Sequence, residues 1–198
     1  KIIGNFLKSN KIRENVFIAT KGGLLPHKTF YMPTNFTAEY IEKRIRNSLK
    51  NLNTDYLDLY QLHSPEHKDI INNYSLIKLL QKMKKEKIIR NIGVSVRKPN
   101  DLLKFYEYFD FDFVQLNYNI IDHRLDNLIE DGFDFSNIKV IARTPLAFGY
   151  LTGKISHKDK LEDDDHRSKW PIEQIRRWEE AVLKFDEFNQ EYNLSPVL

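Results

Sequence analysis

The chain has 198 residues, of which 41% are hydrophobic and 30% are charged, and this is enough apolar content for one sizeable core. Its net charge of +3 comes from 31 basic and 28 acidic residues spread along the sequence, unlike the clustered basic face of a nucleic-acid-binding protein. The lack of cysteine excludes disulfides and thiol catalysis, and no apolar run has the ~20 residues of a membrane span. We expect a cytoplasmic protein that binds neither nucleic acid nor membrane.

The N-terminal region predicts a helix, a strand, a loop and a second helix. Ile2–Lys8 has the apolar spacing of the end of a helix. Val16–Lys21 is a short apolar run followed by two glycines, which predicts a strand with a lysine at its exit. A loop is expected over Leu24–Asn35, after which Thr37 is placed to cap an amphipathic helix.

Tyr56–His63 predicts a buried strand that ends in a histidine. It is rich in leucine and tyrosine, and Leu57, Leu59, Gln61 and His63 alternate along one face. In parallel α/β proteins the functional residues collect at the carboxyl ends of strands. His63 is therefore a candidate functional residue.

The remainder of the sequence repeats the alternation of helix and strand. An amphipathic helix is expected over Leu76–Met83. The other predicted strands are Asn91–Ser95, Phe113–Leu116 and Lys139–Thr144, and the other predicted helices begin at Pro99 or cover Leu125–Ile129 and Pro171–Tyr192. Five β-α repeats without a Gly-x-Gly-x-x-Gly turn favour a barrel over a doubly wound fold.

A complete (β/α)8 barrel needs eight such repeats and about 250 residues. Five strands in 198 residues are too few to close one, and an open slice would leave two strand edges unpaired. We therefore expect a (β/α)8 TIM barrel represented by strands 3 to 7 and part of its C-terminal helical region. Residues 1–198 would form a single partial domain that is incomplete at both ends.

In a parallel barrel, Lys21 and His63 would project toward the same mouth. A lysine there can lower the pKa of a neighbouring acid, and a histidine can hydrogen-bond a substrate oxygen. Each residue taken singly is more often a solvated or structural residue at a strand end. Their occurrence at consecutive strand exits favours the functional interpretation.

Five segments of the chain resemble the aldo-keto reductases, in the order in which that family has them. The five segments are Val16–Lys21, Ser48–His63, Ile89–Ser95, Val114–Asn119 and Thr144–Lys154, and Asp165–Trp170 is similar to a loop of a bacterial branch. The resemblance implies a (β/α)8 barrel that reduces a small-molecule carbonyl substrate. It implies NADPH as the cofactor, with NADH as an alternative.

The family's reaction uses an aspartate, a tyrosine, a lysine and a histidine. Lys21 and His63 match the lysine and the histidine. The resemblance implies that Lys21 favours ionisation of the tyrosine and that His63 positions the carbonyl. The aspartate and the tyrosine are expected in a segment before Lys1. A non-catalytic NADP-binding or regulatory module, without those two residues, stays open as an alternative.

The same resemblance assigns cofactor-binding residues. Ser95 and Gln115 match residues that hold the nicotinamide carboxamide, although Val96 stands where the family often has a polar residue. Arg143 stands where the family usually has an aromatic ring against the nicotinamide, and a guanidinium plane can also stack. The residues expected along the pyrophosphate are Thr144, Pro145, Leu146, Ala147 and Phe148, with Lys154 as a phosphate partner.

No metal site is predicted. His63–His67 fits the pattern H-x-x-E-H, but a zinc site of that type requires both histidines on one helix. Pro65 would break such a helix. The acidic run Asp163–Asp165, next to His166, is expected to be a solvated loop.

Overall fold

Strands and helices alternate along most of the chain. The computed structural model describes residues 1–26 and 32–192, apart from the side chains of residues 186 and 189. The strands are β1 Ala19–Gly22, β2 Leu59–His63, β3 Ile92–Ser95, β4 Phe113–Asn117 and β5 Lys139–Arg143. The helices are α1 Ile2–Asn10, α2 Ala38–Leu52, α3 His67–Ile70, α4 Tyr74–Lys85, α5 Asp101–Tyr106, α6 Arg124–Glu130 and α7 Ile172–Glu191. Short 3-10 helices cover Arg13–Asn15, Ala147–Thr152 and His166–Lys169.

The five strands form one sheet in the order β1-β2-β3-β4-β5, and the first four pair in parallel. A doubly wound sheet reverses its strand order at the ligand site, whereas the strands of a barrel follow one another in chain order. The sequential order is therefore that of a barrel segment.

The register of the strands decides which residues become neighbours. Lys21 of β1 pairs with Gln61 of β2, which pairs with Gly93 of β3. Two residues further along β2, His63 pairs with Ser95. Because paired residues in a sheet share a face, these positions all lie on the same side of it.

The opposite face of the sheet packs against helix α2. The Thr20 hydroxyl lies 3.5 Å from the Ser48 hydroxyl of that helix. Gly22 leaves room for the ring of Tyr60, since a Cβ at Gly22 would lie 2.1 Å from the Tyr60 hydroxyl. Burial raises the pKa of the Tyr60 hydroxyl, so this group stays protonated and neutral.

Helices α2 and α4 each begin at an N-cap residue and pack through an apolar stripe. The Thr37 hydroxyl accepts a hydrogen bond from the Tyr40 amide, as predicted for an N-cap, and the Asn73 side chain does the same for the amide of Leu76. The stripes are fully or almost fully buried and contain Ile41, Ile45, Leu76 and Leu80.

The carboxylate of Asp58 joins the first three strands at their amino ends. One of its oxygens accepts hydrogen bonds from the Ile18 amide at 2.9 Å and from Arg13 at 2.8 Å. The other accepts a hydrogen bond from Arg90 at 3.0 Å, and the Asp58 carbonyl accepts one from the side chain of Asn91 at 2.7 Å. Asp58 is only 5% exposed, so these partners compensate the loss of hydration of a buried charge.

Asp112 occupies the same position before β4. Its carboxylate accepts hydrogen bonds from the Ile92 amide at 2.8 Å and from the Lys84 ammonium at 2.6 Å. Its carbonyl oxygen accepts a hydrogen bond from the Lys139 amide at the start of β5. Each of these two aspartates therefore fixes the strand that follows it against the strand before it.

Several element boundaries differ from the sequence predictions. β1 begins at Ala19 rather than Val16, because Arg13–Asn15 form a 3-10 turn whose arginine bonds the carbonyl oxygen of Val16. β2 begins at Leu59, and helix α5 begins at Asp101, with Pro99 ahead of it. The short helix α3 was not predicted.

The predicted loop Leu24–Asn35 lies partly outside the described residues, and its described ends pair through a bridge between Leu24 and Thr34. Of the helices that the structure describes, none combines the length and the apolar composition that crossing a bilayer requires.

The chain divides into two compact units. The first unit contains residues 1–116 and 126–141, and the second contains residues 117–125 and the chain from Ala142 onward. The expectation of a single partial domain over residues 1–198 stays a prediction.

Replacing Asp58 with alanine should lower the free energy of unfolding by about 3 kcal/mol, because the Ile18 amide loses its acceptor and the part-buried Arg13 guanidinium loses the carboxylate that balances its charge. Urea denaturation measures this loss. The matched control is Glu42→Ala, which removes an exposed pair with Arg46 and should cost less than about 0.5 kcal/mol. Equal losses in the two variants would contradict the role assigned to Asp58.

Candidate active site

A row of polar side chains crosses one face of the sheet in the first unit, near the carboxyl ends of the strands. We call this face, which is opposite to the one that packs against α2, the inner face. Its members are Lys21 on β1, Gln61 and His63 on β2, Ser95 on β3 and Gln115 on β4. Lys21 pairs with Gln61, and Ser95 pairs with both His63 and Gln115. The structure thus brings together on one face the four residues that the sequence singled out in this unit.

Gln61 is a member of this row that the sequence analysis used only as a marker of strand alternation. Its amide nitrogen donates a hydrogen bond of 3.3 Å to the side-chain oxygen of Gln115, two strands away. The bond crosses β3 at Gly93, where a Cβ would lie 3.0 Å from Cγ of Gln61. A side chain at this position would therefore crowd both Gln61 and the Phe113 carbonyl oxygen, which is also 3.0 Å away.

Two polar atoms of this row are buried and have no hydrogen-bond partner among the described residues. They are the hydroxyl oxygen of Ser95, a residue that is 0% exposed, and the side-chain oxygen of Gln61, which is 1% exposed. Leaving such a group unpaired costs roughly 1–3 kcal/mol, and most proteins avoid it. Unpaired polar atoms beside other polar side chains are typical of a surface that receives a ligand.

A nicotinamide carboxamide fits the polar atoms at Ser95 and Gln115. The carboxamide carries both an amide donor and a carbonyl acceptor, and the unpaired Ser95 hydroxyl can serve either. The oxygen of Gln115 is engaged by Gln61, which leaves the Gln115 amide hydrogens for an acceptor. The residues present are therefore compatible with the predicted cofactor.

The backbone beyond these strands turns sharply. Ser64 follows β2 with a φ of 55°, and its amide donates a hydrogen bond to the Ser95 carbonyl at 2.8 Å.

Val96 follows β3 and is 1% exposed. The residue after the serine thus contributes to the apolar core, which accounts for a valine at that position.

In the second unit, the chain after Arg143 follows an unusual path. Thr144, Ala147 and Phe148 all have positive φ values, of 53°, 44° and 59°. The Thr144 carbonyl is held by the side-chain amide of Asn119 at 2.9 Å, and the Arg143 carbonyl accepts a hydrogen bond from the Tyr118 amide. Left-handed backbone at non-glycine residues is costly, so this segment is held in place by its surroundings.

Phe148 is the side chain that anchors this segment. Its ring lies 4.4 Å from Trp170 and 6.3 Å from Trp178, measured between centroids, and it also contacts His166. The other residues predicted along the pyrophosphate differ in exposure. Thr144 is half-buried, Ala147 is buried, and Pro145, Leu146 and Lys154 are exposed.

The segment that resembles a bacterial loop also belongs to this unit. Asp165 caps the 3-10 helix His166–Lys169, and its carboxylate pairs with Arg167 at 2.5 Å. Hydrogen bonds from Arg167 lower the pKa of Asp165 to about 2. Arg167 also donates a hydrogen bond to the Phe148 carbonyl, so the pair ties the two loop segments together.

The pattern H-x-x-E-H does not form one helical face. His63 ends β2, whereas His67 begins α3 and packs against Tyr108, with a distance of 5.6 Å between ring centroids. Within the described residues no group of three or more histidine, aspartate and glutamate side chains is arranged to hold a metal ion.

Comparisons with known proteins agree with the arrangement of the strands. The solved structure of a glycerol dehydrogenase from Gluconobacter oxydans matches with a TM-score of 0.72 and 26% identity, covering 98% of this chain and 60% of that one. The aldo-keto reductase yakc (NADP(+)) of Schizosaccharomyces pombe is 27% identical, over 98% of this chain and 58% of its own length. An NADH-specific methylglyoxal reductase of Escherichia coli is 27% identical, over 78% of this chain and 50% of its own length.

The chain spans about half the length of the curated relatives that it matches. The predicted fold class is confirmed: the sequential parallel sheet is that of a partial (β/α)8 barrel. A sequence model of the Aldo/keto reductase family matches residues 1–198. The chain belongs to the aldo/keto reductase family, whose members are NAD(P)H-dependent oxidoreductases.

Proposed function

We propose that the protein reduces an aldehyde or ketone to an alcohol with a hydride from NAD(P)H, or oxidises the alcohol in the reverse direction. The observation that carries the proposal is the shared face of Lys21, His63 and Ser95, together with the unpaired buried hydroxyl of Ser95. Buried polar groups of this kind destabilise a protein unless a ligand satisfies them.

Ser95 and Gln115 would hold the carboxamide of the cofactor, which supplies the hydride when it is bound. In the second unit, Arg143 would present its guanidinium plane to the nicotinamide, as the resemblance suggests for that position. The segment Thr144–Phe148 and the exposed Lys154 would bind the pyrophosphate, since an ammonium attracts phosphate oxygens.

His63 and Lys21 would act on the carbonyl group of the substrate. His63 would hydrogen-bond the carbonyl oxygen and hold it in position as negative charge develops there. The proton donor implied by the resemblance is a tyrosine, whose ordinary pKa is about 10. A nearby Lys21 ammonium would favour the ionised form of that tyrosine and so lower its pKa.

The relatives suggest where a substrate search should begin. One is named for methylglyoxal and another for glycerol, so small oxygenated carbonyl compounds and their alcohols form the first panel. One relative is named for NADP(+) and one for NADH, so each compound should be tested with both cofactors.

Replacing His63 with alanine in the complete gene product should lower kcat/KM for carbonyl reduction by about 100-fold or more, the usual contribution of such a residue. Steady-state kinetics measures this loss, and the dissociation constant of NADPH should stay within about twofold. The matched control is His67→Ala, which removes a histidine four residues away that packs against Tyr108. Unchanged turnover in the His63 variant, or cofactor binding by the wild type without turnover of any carbonyl, would refute the proposal.

Replacing Ser95 with alanine should have opposite effects on stability and on cofactor affinity. It removes a buried hydroxyl without a partner, so urea denaturation without cofactor should show a free energy of unfolding equal to or above that of the wild type. The dissociation constant of NADPH should rise about three- to tenfold, because one hydrogen bond to the carboxamide is lost. A variant that is less stable but binds NADPH normally would show that Ser95 has a structural role only.

A further inference from the structure

Gln61 occupies the centre of the polar row, between the two pairs of residues with proposed functions. Its register partner on β1 is Lys21, and its amide nitrogen bonds Gln115 on β4. Its side chain is 1% exposed, and its oxygen has no partner among the described residues. A glutamine buried in this way contributes little to folding, because one of its two polar atoms is left unsatisfied.

The bond from Gln61 determines how the amide group of Gln115 is oriented. A glutamine side chain can present either its oxygen or its amide hydrogens to a ligand, and the two arrangements differ by a flip of the amide. Because the Gln115 oxygen accepts the hydrogen bond from Gln61, the Gln115 amide hydrogens are the part left for a ligand. The reverse arrangement would require both amides to flip, and the unpaired group of Gln61, next to the Lys21 strand, would then be a donor instead of an acceptor that suits a cation.

We infer that Gln61 is a positioning residue for cofactor binding, which fixes Gln115 so that its amide donates to the carbonyl oxygen of the nicotinamide carboxamide. This inference rests on the proposed function. Gly93 belongs to the same arrangement, since a side chain there would obstruct the path of Gln61 across β3. Gln61 also lies beside Lys21, its register partner, and its oxygen is unpaired. Gln61 thus lies between the residues proposed to hold the cofactor and those proposed to act on the carbonyl.

The test uses Gln61→Glu and two cofactors. An ionised glutamate accepts hydrogen bonds only, so it should flip Gln115 and leave the Gln115 oxygen for the ligand. The Lys21 ammonium on the neighbouring strand favours the ionised form of this glutamate. The 3-acetylpyridine analogue of NADP(+) keeps the carbonyl oxygen of the carboxamide but replaces its amide group with a methyl group, so it cannot donate to that oxygen.

Isothermal titration calorimetry on the complete gene product should then show a change in cofactor preference. The ratio of the dissociation constants of the analogue and of NADP(+) is expected to rise about tenfold in the Gln61 variant relative to the wild type, the effect of one lost hydrogen bond. The matched control is Gln81→Glu, the same substitution at an exposed position of α4, which should leave the ratio unchanged.

A second variant protects the test against a failure of the first to fold. Gln61→Met keeps the size of the side chain but removes its donor, so affinity should fall about three- to tenfold for both cofactors. Affinity for the adenosine 2′,5′-bisphosphate fragment, which lacks the nicotinamide, should not change. An unchanged ratio in folded Gln61→Glu, or normal affinities in Gln61→Met, would overturn the inference. Absence of binding of both NADP(+) and NAD(+) by the wild type would instead overturn the proposed function.

Discussion

The buried carboxylate of Asp58 is the constraint on which the geometry of the first unit depends. It bonds the residue just before β1, lies just before β2, and is held by arginines from the segments that precede β1 and β3. A slip of one residue in any of these strands would turn every side chain to the other face of the sheet. His63 lies five positions after Asp58, so the ion pairs at one end of the strand determine which side chains meet at the other.

Asp112 forms the same kind of hydrogen bond between the next pair of strands, β3 and β4. Its carboxylate accepts the Ile92 amide as that of Asp58 accepts the Ile18 amide. Each aspartate replaces a backbone acceptor at the edge where two strands begin to pair. The positions of Ser95 and Gln115 therefore depend on the Asp112 carboxylate, as those of Lys21 and His63 depend on the Asp58 carboxylate.

The two faces of this sheet follow different requirements. The outer face is packed for stability, to the point where Gly22 accommodates the ring of Tyr60. The inner face carries the unpaired atoms of Gln61 and Ser95 within a row of polar side chains, whereas the unpaired hydroxyl of Tyr60 on the outer face stands apart from that row. A fold can tolerate such a face when the remaining packing, here the stripes of α2 and α4, is tight enough to offset the loss.

The sequence predicted all five strands and six of the seven helices in chain order, because leucine-rich runs and helical stripes recur at a regular spacing. It indicated Lys21 and His63 by their positions at strand exits and Ser95 and Gln115 through the resemblance, and the register brings these residues to one face. The early start predicted for β1 failed because the role of Arg13 depends on contacts with Thr54 and Asp58, far along the chain. Asp58 itself gave a usable signal, a charged residue inside an apolar strand, and so did Gln61.

The backbone of the second unit could not be predicted in the same way. Thr144, Ala147 and Phe148 are residue types that seldom adopt left-handed conformations, and nothing in the local sequence indicates that they do so here. Their conformation depends on Asn119, Arg167 and two aromatic rings, all of which reach this segment from other parts of the unit.

The placement of those two rings has a spectroscopic consequence. Trp170 and Trp178 are the only tryptophans in the 198 residues, and both contact Phe148 in the segment after β5. Indole emission from these residues therefore comes entirely from the second unit and is sensitive to the position of one loop. The first unit, with Lys21 and His63, contributes no indole signal of its own. Fluorescence of these 198 residues can thus follow this loop without an engineered probe.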